Sequence, residues 1–247
     1  MKITGIIITK NEEEMLEDAL KSLSFCDEIL VVDNNSTDGT LEIAEKYKAR
    51  IIKSKTANFS ELRNLGKENA TSEYILYIDA DERVDEMLRK SILFEIKSNS
   101  SYSAYRINRK NFYLGKNEWP KIEELERLFK REKLMGWKGE IHESAVVDGD
   151  IGQIDGTLLH FTHRNLSQML KKTIEWSDTE SKIRLEAQHP RMTWWRFPRV
   201  MITAFFKSYV SEKGYKVGSA GLVESIYQSY STFITYAKLW EAQNKKI

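Results

Sequence analysis

Three short runs of uninterrupted apolar residues, each followed by a helix-like segment, constrain this chain more than any other feature. Ile6-Ile7-Ile8, Ile29-Leu30-Val31-Val32 and Tyr74-Ile75-Leu76-Tyr77-Ile78 are too short for buried helices. Their β-branched and aromatic content marks strands covered on both faces. Between them, 41–47 and 59–70 read as helices, and Arg50 to Lys53 as a further strand. Strands alternating with helices predict an α/β fold with a mostly parallel sheet, right-handed crossovers and helices on both faces. Such sheets bind ligands beyond the carboxyl ends of their strands. Three polar clusters fall there: Thr9-Lys10-Asn11-Glu12, Asp33 to Ser36, and Asp79-Ala80-Asp81.

Asp79 and Asp81 are the sharpest chemical signal. Aspartate is a poor strand residue and is rarely buried alone. Two carboxylates at a strand end can hold a divalent cation and the diphosphate that it neutralises. Asp79 suits the ribose or the metal, and Asp81 the metal. The competing reading makes Asp81, Glu82 and Asp85 anions at the start of a helix running from about 86 to 97. Asp33 can take a base or ribose, or bond its own turn. Asn11 is expected to cap a helix carrying Glu12 to Glu14 in its first turn, and Glu12 either reaches a nucleotide or only stabilises that helix start. Arg63 and Asn64 stand on the helix before the acidic strand, where they can reach a nucleotide or, for Arg63, simply be solvated.

Further along, Ser103 to Lys110, Arg127 to Arg131, Glu140 to Val147 and Gly156 to Thr162 read as shorter strands. Glu143 is a candidate general base for an acceptor hydroxyl, with His142 as the base or its orienting partner. His160 can add a nitrogen ligand to a metal on Asp81; His163, three residues on, is the alternative. From 166 onward the spacing is helical, with a break expected at Gly214, Gly218 and Gly221. The expected division is 1–165 as an α/β domain carrying the polar strand ends and 166–247 as a helical extension. In that extension Trp194, Trp195 and Phe197 lie beside Arg191, Arg196 and Arg199, which suits a membrane surface with anionic lipid.

Composition limits the alternatives. The 247 residues carry a net charge of +1, so nothing favours bulk nucleic-acid binding. Cys26 is the single cysteine, which removes internal disulfides and thiolate metal cages and fits a reducing, cytoplasmic setting. No run approaches the ~18–20 apolar residues of a membrane span, and no signal peptide is expected. A nucleotidyltransferase would want a glycine-rich phosphate loop after the first strand, where Gly5 is the only glycine.

Taken together, Ile7 to Glu12, Val31 to Thr40, Arg63-Asn64 and Tyr74 to Glu82 resemble the family 2 glycosyltransferases, which have the GT-A fold. The resemblance covers about the first two-thirds of the chain. Asn111 to Gly115, Arg127-Leu128-Phe129, Trp137 with Gly139 and His142-Glu143, and His160 to His163 are similar to the branch that includes lipopolysaccharide-core glucosyltransferases, bacterial enzymes of the cytoplasmic membrane face. The resemblance implies an inverting, metal-dependent hexosyl transfer from a nucleotide sugar, with UDP as the expected nucleotide, to a glycan or glycolipid. Asp33 would bind the base, Asp79 the ribose and Asp81 with His160 a Mg²⁺ or Mn²⁺ ion. Glu143, assisted by His142, would be the base. Thr9, Asn11, Glu12, Ser36, Arg63, Asn64 and Ala80 would complete the donor site. The acidic base pair of many relatives is not evident, and Glu123-Glu124 competes with Glu143. A peptide-directed transferase and a non-catalytic nucleotide-sugar-binding protein are the alternative readings.

Overall fold

The computed structural model describes residues 2–56, 58–98, 100–139 and 143–245. They divide into two compact units: Met1–Arg109 with Glu123–His160, and Lys110–Ile122 with Phe161–Ile247. The second unit therefore takes a stretch of chain from the middle of the sequence in addition to the helical tail.

The first unit opens with β1 (Ile3–Thr9), α1 (Leu16–Ser22), β2 (Glu28–Asp33), α2 (Thr40–Lys46), β3 (Arg50–Lys53), α3 (Phe59–Asn69) and β4 (Tyr74–Asp79). It continues through β5 (Glu82–Val84), α4 (Glu86–Ser98), β6 (Ala104–Tyr113), β7 (Asn117–Lys130), β8 (Leu134–Lys138), β9 (Ser144–Val147) and β10 (Ile151–Phe161). Eight strands form one sheet in the order β3-β2-β1-β4-β7-β6-β10-β5, and β8 pairs with β9 in a small second sheet. β1 to β4 run parallel, whereas β7 lies antiparallel to β4, and β5 antiparallel to β10.

The uninterrupted apolar runs are explained by two cores on opposite faces of the sheet. Ile3, Ile7, Val31, Leu76 and Ile78 pack with Leu16, Leu20, Leu88 and Ile92 of α1 and α4. The alternate residues Ile6, Ile8, Leu30, Val32, Ile75 and Tyr77 pack with Leu62 of α3 and Trp137 of β8. Period-two alternation sends neighbouring side chains to opposite faces, so a strand buried on both must be apolar throughout. Tyr77 is fully buried, and its hydroxyl donates to the Arg63 carbonyl at 2.8 Å. Cys26 lies so close to Gly5 that a Cβ there would meet its Sγ at 3.2 Å. Burial, with Asp27 beside it, pushes the Cys26 thiol up to about 12.

Two sequence expectations change. Asn11 caps no helix: it adopts φ 54°, and α1 begins only at Leu16. The competing reading of the acidic run holds for Asp85, which accepts from the Leu88 N–H at 2.7 Å at the start of α4, but not for Glu82, which stands in β5, fully buried opposite His160 of β10.

In the second unit, α5 (Leu166–Glu186), α6 (Arg196–Phe206) and α7 (Gly218–Asn244) pack together. Asn165 caps α5 by accepting from the Gln168 N–H at 2.9 Å. Thr173 of α5 and Tyr227 of α7 share a buried hydroxyl contact of 2.8 Å. Gly214 and Gly218 mark the expected break, since Gly214–Val217 is a 3-10 turn and Gly218, at φ 62°, is the first residue of α7, whereas Gly221 lies inside that helix. Gly221 is needed for close approach, since a Cβ there would sit 1.9 Å from the Gly214 carbonyl oxygen.

Candidate active site

Sheet register places the first polar clusters side by side. Thr9 of β1 pairs with Asp33 of β2, and its neighbour Ile8 pairs with Asp79 of β4. The two loops beyond β1 and β2 are stitched together. The left-handed backbone of Asn11 lets its N–H donate to Ser36 Oγ at 2.9 Å, while its Oδ1 accepts from the Thr37 N–H at 2.8 Å. The Glu12 N–H donates to Thr40 Oγ1 at 2.9 Å. Asp33 is buried, and its carboxylate accepts from the Ser36 N–H at 3.2 and 3.3 Å. Thr9 Oγ1 is buried with no hydrogen-bond partner among the described residues. Thr9, Asn11, Glu12, Asp33 and Ser36 thus form one cluster.

Asp79, at the end of β4, is the hub of a second one. Its Oδ1 accepts from Arg63 Nη2 at 3.1 Å and its Oδ2 from Arg127 Nη2 at 2.9 Å. Beneath it, Glu82 Oε2 accepts from the Asp79 N–H at 2.9 Å, and Glu82 Oε1 from Arg109 Nη1 at 3.0 Å. Arg109 also donates from Nε to Glu123 Oε2 at 3.0 Å. Burial alone would raise the Asp79 carboxyl, but Arg127 and Arg63 hold it well below the usual carboxylate range.

Arg63 carries this network to Glu143. Its Nε donates to Glu143 Oε1 at 2.8 Å, and its Nη2 lies 2.7 Å from the same oxygen in an ion pair. The guanidinium is 3% exposed and lies 4.9 Å from the Trp137 ring centre. Burial works against its charge, yet Asp79 and Glu143 more than compensate and raise its pKa further. Asn64, one residue on, turns to β8: its Oδ1 accepts from the Trp137 N–H at 2.8 Å and its Nδ2 donates to the Trp137 carbonyl at 3.1 Å. Its amide clamps the backbone beside Arg63. Ala80 is buried, with its carbonyl accepting from Arg83 at 2.9 Å.

Asp81 meets His160 across the strand pair, with 3.4 Å between Oδ2 and Nε2, and both side chains are mostly buried. Burial pulls the His160 imidazole down, but Asp81, with Glu82 behind it, outweighs that and the net shift is upward. Among the described residues no group of three or more His, Cys, Asp or Glu side chains converges as a cage. One carboxylate and one imidazole facing each other do fit a Mg²⁺ or Mn²⁺ ion that takes its remaining ligands from phosphate and water. His142 lies outside the described residues. Glu124 is exposed on β7, on the other side of the strand from Glu123.

Arg109, Arg127, Glu82 and Glu123 were not expected as a network. Their signal is a charged residue at an inward strand position among apolar ones, as in Leu125-Glu126-Arg127-Leu128. An arginine is seldom buried unless paired, but the sequence does not name the partner.

Comparison with known proteins gives the arrangement its context. Residues 4–150 match the family model described as glycosyl transferase family 2. An uncharacterized glycosyltransferase of Rickettsia typhi is 29% identical over 99% of this chain and 88% of its own length. The lipopolysaccharide core biosynthesis glycosyltransferase LpsC of Rhizobium meliloti is 26% identical over 98% of this chain and 93% of its own. The crystal structure of S. aureus TarS 1–349 with UDP superposes with a TM-score of 0.50 at 15% identity, covering 99% of this chain and 92% of that one. The chain is therefore a member of glycosyl transferase family 2, with the GT-A fold that its strand order and polar strand ends build.

Proposed function

We propose that this chain transfers a hexose, with inversion, from a uridine-diphosphate sugar to a hydroxyl of a glycan or glycolipid in lipopolysaccharide-core or other cell-envelope polysaccharide synthesis. The observation that carries the reading is the bridge made by Arg63, which binds Asp79 at the strand end and Glu143 in one buried contact. A donor-side carboxylate and a candidate base are thereby held in fixed relation, as an in-line displacement requires. The similarity to LpsC over nearly the whole chain supports the cell-envelope assignment.

In this reading Asp33 and the Thr9–Ser36 cluster receive the base and ribose, with Thr9 Oγ1 as a hydroxyl still lacking a partner. Asp79 orients the ribose while its arginines keep it ionised. Asp81 and His160 would hold the divalent cation, whose chemistry when bound would be Lewis-acid help to the diphosphate leaving group. Glu143 accepts the proton of the acceptor hydroxyl, using Oε2 because Oε1 is committed to Arg63. Exposed Trp194, Trp195, Ile202 and Phe206, beside the arginines of α6, support peripheral contact with the inner face of a cytoplasmic membrane. No described helix is long and apolar enough to cross one.

The test is a transfer or donor-hydrolysis assay with UDP-sugars and Mn²⁺. Asp81→Ala should remove the metal-dependent turnover, and wild-type turnover in that variant would end the metal assignment. Glu143→Gln should lower turnover about 10²–10⁴-fold while UDP affinity is retained. If Glu124→Gln produces that loss instead, the base is Glu124.

A further inference from the structure

The helical unit contains two adjoining cavities of opposite character that share Ala204, Lys207 and Thr232. The larger, about 330 Å³, is lined by Arg196, Arg199, Thr203 and Lys207 along one face of α6 and its continuation, with Tyr236 of α7 opposite. No aspartate or glutamate lines it, and among the described residues none of the three cations forms an ion pair. Cations gathered on one wall without carboxylates repel one another and leave guanidinium donors for an anion. Phosphate, with several acceptor oxygens in a geometry that arginine matches, is the anion such a wall fits.

The smaller cavity, about 170 Å³, is lined by Tyr113, Trp119, Glu212, Glu224 and Gln228. Glu224 is fully buried. Its Oε1 faces His163 Nδ1 at 2.9 Å and accepts from Gln228 Nε2 at 2.7 Å, whereas its Oε2 is buried without a partner. A carboxylate oxygen left so is costly unless a donor reaches it. Glu212 is already engaged, accepting from Lys121 at 2.9 Å and from Trp119 Nε1 at 3.4 Å. A carboxylate, a primary amide and aromatic rings around a small space suit the hydroxyls and C–H faces of a single sugar ring. At this size the space is below that of a drug-sized pocket, ~300–1,000 Å³.

We propose that the two cavities form one site for a phosphorylated sugar, with the phosphate on Arg196, Arg199 and Lys207 and a ring hydroxyl donating to Glu224 Oε2. That this ligand is part of the acceptor rests on the transfer reading above; that the site binds it does not.

Isothermal titration of the full chain with glucose 6-phosphate tests this, with glucose and inorganic phosphate as separate arms. Glucose 6-phosphate should bind saturably and about tenfold or more tighter than either fragment. Arg199→Gln should weaken it by about tenfold, the worth of a charge-assisted hydrogen bond. Glu224→Gln should weaken glucose 6-phosphate but not inorganic phosphate, while the exposed control Lys172→Gln changes neither. Circular dichroism establishes that each variant is folded. Absent binding of glucose 6-phosphate, or unchanged affinity in both Arg199→Gln and Lys207→Gln, would overturn the proposal. So would Arg199-dependent binding to phosphatidylglycerol vesicles without any glucose 6-phosphate binding, which would make the ligand a lipid headgroup. UDP binding with Mn²⁺ on the same samples reports the donor site, so failure of the transfer reading is distinguishable from failure of this site.

Discussion

The two units place their arginines differently. In the α/β unit each buried cation meets a carboxylate: Arg63 with Asp79 and Glu143, Arg127 with Asp79, Arg109 with Glu82 and Glu123. In the helical unit Arg196, Arg199 and Lys207, at most half-buried, gather around one cavity that no carboxylate lines, and Glu212 and Glu224 line the next. Paired charges satisfy each other and fix a geometry; sorted charges keep their hydrogen-bonding capacity for something that arrives. The first arrangement suits a site whose parts must not move. The second suits recognition of a ligand carrying both an anionic and a neutral polar part.

Removing charges one at a time should separate the two designs. The largest effect is expected for Arg63→Met, which leaves Glu143 without the cation it shares and Asp79 with Arg127 alone. Breaking a buried pair in this way costs about 3–5 kcal/mol, read as a lower urea midpoint for the α/β unit. Glu82→Gln keeps the side-chain shape but discharges the acceptor under Asp79 and Arg109. A loss of about 1.5–3 kcal/mol is expected, and a stability equal to wild type would show that the network is not held by charge. The smallest effect belongs to Arg199→Gln in the helical unit. With no carboxylate to abandon, it should leave stability within about 0.5 kcal/mol of wild type. A loss as large as that of Glu82→Gln would erase the contrast between the units.

Much of the α/β unit was legible before its structure. Ile6 to Ile8, Val31-Val32 and Tyr74 to Ile78 are strands because both faces are covered, and burial on both faces leaves no room for a polar residue. Once those strands are parallel, Thr9, Asp33 and Asp79 must lie together, since chain direction decides which ends coincide. What stayed hidden depends on contacts distant in sequence. The strand expected at Arg127 to Arg131 is the end of the 14-residue β7, whose charged part includes Glu123 and Arg127, each with a partner on another element or strand. Asn11 has the composition of a helix cap. It bonds instead to the 36–37 loop, 25 residues away, a partner that no local rule supplies. Gly221 reads as a helix breaker until the Gly214 carbonyl that needs its bare Cα comes into view. Glu143 stands out in the sequence as a candidate base, but its partner Arg63, 80 residues away, is visible only in the fold.

The packing of Cys26 against Gly5 has a practical consequence. A thiol whose pKa is pushed to about 12 is almost wholly protonated at neutral pH, and it is the thiolate that reacts. Cys26 is therefore expected to react slowly with thiol reagents. A thiol introduced at an exposed position such as Trp194 should be alkylated ahead of Cys26, so a fluorophore or spin label placed there reports on that position.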